Sequence, residues 1–114
     1  PMISVCIKRD SASYEIVKKR REFILHLLGD KQKKMASTFF KPTIFENEKL
    51  NGQDFSLKNN LPLLKDIPAY IQCKVVETLE NGDHPLFLAE VVDAKINIDS
   101  SPLELRKTGW NYGG

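Results

Sequence analysis

A chain of 114 residues, 41% hydrophobic and 28% charged, has the composition of a single globular domain with a core of its own, which excludes a disordered or low-complexity protein. With 17 basic and 15 acidic side chains the net charge is only +2, too balanced to indicate nucleic acid or an anionic membrane through charge alone. No stretch approaches the roughly 20 apolar residues of a membrane span.

The first element expected is a strand over Met2 to Ile7, where apolar and small residues alternate. A strand this early has no partner ahead of it, so sequence upstream of Pro1 is expected. Asp10 or Ser11 then offers a cap for a helix over Ala12 to Arg21. Glu15 in its first turn and the basic run Lys18-Lys19-Arg20-Arg21 in its last suit the helix dipole. Glu22 to Leu28 reads as a second strand with few polar positions, hence central or helix-covered. Gly29 ends it, and Asp30 is the expected cap of a second helix running to Phe40, with Met35, Phe39 and Phe40 turned inward. Residues 42–64 are the least regular part and read as a long binding or lid loop.

Two β-rich runs follow, Ala69 to Leu79 and Pro85 to Ile98, separated by Asn81-Gly82-Asp83-His84. Asn-Gly tolerates positive φ at two successive positions, so the spacing predicts a hairpin closed by a type I′ turn, with an imidazole at its edge. The tail, Ser101 to Gly114, carries Leu103, Leu105, Arg106, Lys107, Trp110 and Tyr112. The order strand, helix, strand, helix, loop, hairpin predicts a mainly β fold, a β-barrel or antiparallel-rich sheet with flanking helices. There is no Gly-x-Gly-x-x-Gly and no Walker A sequence.

Three places offer chemistry. Lys8 to Ser13 runs from a strand end into a helix start, where cations, hydroxyls and free backbone N–H groups converge as a phosphate would require; an ordinary capped helix is the alternative. His84 on a rigid hairpin could donate to a ligand oxygen or carboxamide, or could be a plain strand-end histidine. Trp110 and Tyr112 could cover a planar ligand or pack at an interface. His26 in an apolar strand reads as a satisfied core or interface histidine. Cys6 and Cys73 read as reduced core thiols of a cytoplasmic protein. The four Cys and His residues have no zinc spacing, and no triad or carboxylate pair marks a catalytic acid or base. A small basic barrel binding nucleic acid is disfavoured, because the Lys/Arg runs fall on helices away from the aromatics.

These segments, in their order, resemble the flavin reductase-like, FMN-binding split-barrel family. The opening, Pro1 to Ile16, is similar to the segment after that family's first flavin motif. Glu22 to Gln32 resembles its F-x-x-N-x-L-x-x-x-Q element, Leu64 to Val75 its L-x-x-A-x-A-x-L-E-C-x-V strand, and Gly82-Asp83-His84 its G-D-H turn. More narrowly, Thr38 to Pro42 and Arg106 to Tyr112 resemble the C-terminal flavin reductase module of cyanobacterial-type diflavin flavodiiron proteins.

The resemblance implies one split-barrel domain over 1–114, a homodimer, with FMN as cofactor (FAD as the alternative) and NAD(P)H as hydride donor. It implies an acceptor that is free flavin or a fused or separate diiron core, and neither nucleic acid nor membrane as partner. Arg9, Asp10, Ser11, Ala12 and Ser13 fall on the flavin loop, and Phe40 and Lys41 near the cofactor. His84, Arg106 and Tyr112 fall on the nicotinamide side. The chain departs from the family in three ways. Its Thr/Ser-rich flavin motif would precede Pro1, so the N-terminal barrel strands are expected to be missing from this sequence. Ala12 stands where many members have a hydroxyl, and His26 replaces the usual Asn. A non-catalytic flavin-binding or interaction module of the same fold is therefore the alternative to an NAD(P)H-dependent flavin reductase.

Overall fold

The computed structural model describes residues 1–113; Gly114, the last residue of the expected tail, lies outside them. The elements in chain order are β1 (Met2–Cys6), α1 (Ala12–Arg20), β2 (Glu22–Leu27), α2 (Lys33–Thr38), β3 (Phe45–Glu46), β4 (Lys49–Leu50), β5 (Phe55–Lys58), β6 (Leu61–Leu64), β7 (Ala69–Leu79), β8 (Leu86–Ile96) and α3 (Leu105–Thr108). The architecture is mainly β with short helices, as expected.

β1, β8, β7 and β2 form a four-stranded sheet in that order. β1 runs antiparallel to β8, with Met2 opposite Glu90 and Cys6 opposite Leu86. The chain divides into two compact units, residues 1–25 with 71–94, and residues 26–70 with 95–113.

In the first unit, α1 lays Tyr14 and Val17 on the sheet, against Val75 and Phe87, with Val5, Ile7 and Phe23 packed around them. The 14-to-17 spacing is the i, i+3 of one helix face, and Val5, Val75 and Phe87 supply the sheet side. Phe87 is fully buried and its ring centroid is 5.9 Å from that of Tyr14. The cap of α1 is Ser11, whose Oγ accepts the Tyr14 N–H at 3.1 Å. The helix ends at Arg21, in the left-handed region at φ 62°, whose N–H donates to Val17 O at 2.8 Å.

Several expectations are corrected. Of the two readings of β2, central or helix-covered, the first is corrected: β2 is last in the order of its four-stranded sheet, and its Phe23 packs on the cluster that Tyr14 and Val17 of α1 form with the sheet. Cys6 is exposed, because its position in β1 puts its side chain opposite to Val5, on the other face of the sheet; Cys73 is buried as expected. The hairpin between β7 and β8 is real, but residues 80–85 connect it and only Gly82, at φ 79°, has positive φ, so Asn81-Gly82 makes no type I′ turn.

In the second unit, α2 is shorter than expected and is entered through Gln32, not capped by Asp30. Gln32 ties the preceding turn instead: its Oε1 accepts Gly29 N–H at 2.9 Å and its Nε2 donates to Asp66 O at 2.6 Å. Residues 42–64 are not an irregular loop. They fold into two small antiparallel hairpins, β3–β4 and β5–β6. The turns Asn47-Glu48 (φ 53° and 60°) and Asn59-Asn60 (φ 51° and 64°) both place two successive residues at positive φ, the type I′ signature. Asparagine, which tolerates that region, takes three of the four positions and Glu48 the fourth, so both turns form without glycine.

Candidate functional site

The start of α1 gathers the expected flavin-loop residues. Asp10, Ala12 and Ser13 are exposed and Ser11 is partly buried. Ser11 Oγ donates to Lys8 O at 2.7 Å while accepting from Tyr14 N, which closes the strand-to-helix corner. The N–H groups of Ala12 and Ser13 are first-turn donors that a helix cannot satisfy internally. The loss of a hydroxyl at Ala12 leaves that main-chain donor in place.

Arg9 reaches from the flavin loop to the hairpin tip. Its guanidinium donates to the main-chain carbonyl of Gly82 at 2.9 Å from Nη2 and 3.2 Å from Nε, to the carbonyl of Glu80, and at 3.3 Å to the Glu80 carboxylate. Its own N–H donates to Asp83 O at 2.9 Å. The residue expected beside flavin is thus a clamp on the hairpin tip.

The same tip carries His84, which stands 3.3 Å through Nδ1 from Asp83 Oδ1 with its side chain 25% exposed. The hydrogen bond with His84 holds the Asp83 carboxyl below the usual carboxylate range, and the nearby Lys8 acts in the same direction. An Asp–His pair of this kind fixes the imidazole orientation and keeps Nδ1 as the donor nitrogen.

Glu80 was not singled out by the sequence. The phenol of Tyr14 donates to its Oε2 at 2.5 Å, and this bond, followed by the charges of Lys18 and Arg9, holds its carboxyl below the usual range. Sixty-six positions separate the partners, so no local pattern could have revealed the pair.

In the second unit, Phe40, Leu103, Leu105, Thr108, Trp110 and Tyr112 line an apolar groove of about 760 Å³, within the ~300–1,000 Å³ of small-molecule sites. Phe40 is corrected here: it is 68% exposed rather than turned into the core, and meets Trp110 edge to face with centroids 4.7 Å apart. The α2 helix ends before Phe40, which frees the ring from the helix's inward face. The Lys33 ammonium lies 5.2 Å over the Trp110 ring. Gly109, at φ 80°, ends α3 and turns the chain so that Trp110 and Tyr112 both face the groove.

Lys41 lines a separate polar hollow with Asn47, Lys49 and Asn51, so it and Phe40 part company. Arg106 also stays off the groove lining; its Nε donates to Glu104 Oε2 at 2.6 Å. Lys107, then Arg106, hold the Glu104 carboxyl below the usual range. His26 is a satisfied histidine, its Nε2 accepting Leu64 N–H at 3.1 Å. Among the described residues no cluster of three His, Cys, Asp or Glu side chains could hold a metal ion, and no helix is long and apolar enough to cross a membrane.

Residues 1–111 match the family described as flavin reductase like domain. The reductase component of 4-nitrophenol 4-monooxygenase/4-nitrocatechol 2-monooxygenase from Rhodococcus opacus is 34% identical over 95 residues, 83% of this chain and 50% of that protein. FMN reductase (NADH) RutF of Agrobacterium fabrum is 26% identical over 103 residues, 90% of this chain and 59% of that protein. The solved structure of the styrene monooxygenase flavin reductase from Pseudomonas putida S12 aligns with a TM-score of 0.74 at 26% identity, covering 90% of this chain and 63% of that one. The structural neighbours are flavin reductase split barrels, the fold class expected. The chain spans about half the length of the curated relatives it matches.

Proposed function

The chain belongs to the flavin reductase-like domain family, and from that premise we propose that it is a flavin-dependent NAD(P)H oxidoreductase domain over 1–114. FMN is the proposed cofactor and FAD the alternative. The observation that carries the reading is the groove of Phe40, Trp110 and Tyr112, an aromatic-walled hollow of ligand size in a chain matching this family over nearly all its length.

Flavin, when bound, supplies the two-electron redox chemistry. The chain's own residues bind and orient. Phe40, Trp110 and Tyr112 offer ring faces and edges that exclude water from a planar ligand. Taken by themselves, the Ala12 and Ser13 amides at the start of α1 in the first unit suit a phosphate. His84, its ring held by Asp83 through Nδ1, is the proposed hydrogen-bond partner of the nicotinamide carboxamide, whose NH2 its Nε2 can accept. None of them is a catalytic acid or base.

The acceptor belongs to the proposal too. Two of the relatives named above are reductase components or partners of monooxygenases, which supports release of reduced flavin to a separate oxygenase. The likeness of Thr38 to Pro42 and Arg106 to Tyr112 to the flavodiiron module supports a diiron, dioxygen-reducing partner. A homodimer in the cytoplasm completes the reading.

The test is NAD(P)H oxidation by the purified chain with and without FMN, alongside a flavin-binding titration. Flavin-dependent oxidation is expected. Flavin binding without oxidation selects the non-catalytic module, and absence of both sinks the proposal.

A further inference from the structure

The start of α1 and the hairpin tip are joined by a polar cluster for which flavin chemistry as such has no use. Tyr14, only 2% exposed, has its ring on Phe87 and its phenol on Glu80. The Arg9 guanidinium lies 5.6 Å from the Tyr14 ring centroid and grips the carbonyls of Glu80 and Gly82. Lys18 approaches to 5.5 Å from the same ring and to 4.0 Å from Glu80 Oε1. Residues 80–85 connect β7 and β8 through a glycine at positive φ, which has no side chain of its own to anchor the turn. Here it is pinned by charge-assisted hydrogen bonds, which are directional where apolar packing is not. The pinned stretch ends at Asp83, whose carbonyl accepts from Arg9 N and whose carboxylate meets the His84 imidazole.

We infer that Glu80, held by Tyr14 and Arg9, is a positioning residue that sets where the His84 imidazole stands relative to the start of α1, and so tunes nicotinamide binding without touching the nucleotide. The inference deepens the proposed function and rests on its placing of the nicotinamide at His84. It also gives Arg9 a role in holding the hairpin tip, beside the flavin contact expected of it. A ring displaced by about an ångström loses much of an oriented contact, so the effect falls on KM for the nicotinamide.

The experiment compares Tyr14→Phe and Glu80→Gln with the unaltered chain. Tyr14→Phe keeps the buried ring and removes one hydroxyl; Glu80→Gln keeps an acceptor oxygen and removes the charge. Two readouts are taken: steady-state kinetics for NAD(P)H, and the His84 imidazole resonances of the flavin-free protein. Tyr14→Phe is expected to raise KM about fivefold with kcat changed less than about twofold, and to shift the imidazole resonances. Glu80→Gln should fall between it and the unaltered chain, the rescue that a retained acceptor allows. Folded variants with unchanged KM and unchanged imidazole resonances would overturn the inference. If the unaltered chain oxidises no NAD(P)H, the proposed function fails, and the imidazole resonances alone decide whether Glu80 positions His84.

Discussion

Phe40 and Trp110 meet edge to face with ring centroids 4.7 Å apart, although Phe40 leaves a helix end and Trp110 follows the last helix. Trp110 is the one tryptophan of the sequence, so its fluorescence reports on the groove it lines. FMN is expected to quench that fluorescence in a saturable titration. Removing the ring opposite it by Phe40→Ala forfeits an aromatic contact worth about 0.5–1.5 kcal/mol, a roughly two- to tenfold weaker dissociation constant. An unchanged titration curve would place the flavin away from the groove.

Phe87 anchors the first unit. It is fully buried and packs on Tyr14, so Phe87→Ala should lower stability by about 3–5 kcal/mol through lost burial and the cavity left behind. Urea unfolding monitored by circular dichroism measures it, with an unchanged slope separating a stability loss from a change in the unfolded state.

The type I′ turn at Asn59-Asn60 makes opposite demands on two substitutions. Asn60, at φ 64°, should accept glycine with little change or a small gain, since glycine adopts that conformation without strain. Asn60→Val places a branched side chain in the left-handed region and should cost about 1–2 kcal/mol. Thermal melts of both variants check the sign and the order.

The two thiols should differ in reactivity. Cys6 is exposed on β1, whereas burial both shields Cys73 and pushes its thiol upward from its ordinary value. A thiol-labelling assay should modify Cys6 rapidly in the native protein and Cys73 only after denaturant is added. Rapid loss of both thiols under native conditions would contradict the buried placement of Cys73.

Glu80 gives a pH dependence with a definite sign. Tyr14 first, then Lys18 and Arg9, face its carboxylate and lower its folded pKa, while Asp83 lies on the same turn. A lowered folded value means the unfolded chain binds the proton more readily, so stability rises with pH across the window. The contribution is complete above the ordinary glutamate value of about 4.3 and disappears as pH falls through the lower folded value. The difference in melting temperature between the unaltered chain and Glu80→Gln should therefore be present at neutral pH and shrink toward acid. A difference that stays constant with pH would mean the carboxylate charge is not what matters.

Much of the fold was legible because its signals are local. The alternation in residues 2–7, the Ser11 cap with basic residues at the helix end, and the two β-rich runs each specify an element within a few residues of themselves. The hairpin turns of residues 42–64 were missed because Asn-Glu and Asn-Asn occupy the positions where Asn-Gly was sought. Asn81-Gly82 carries the two-residue turn signal, yet its connection spans residues 80–85 and is longer than such a turn. A helix running to Phe40 would turn its ring inward, but α2 ends at Thr38 and leaves the ring outside.

The sequence by itself determined the mainly β class, the elements up to α2 and the long hairpin that carries His84, since backbone propensity and hydrophobic period act over short distances, and its motifs carried the family resemblance. Only the tertiary structure decided what the polar side chains do. It put the Arg9 guanidinium on the Glu80 and Gly82 carbonyls, brought Glu80 to Tyr14, and set Phe40 against Trp110. Those pairings join residues far apart in the chain, and a hydrogen bond or ring contact depends on distance and direction in space that residue spacing alone does not encode.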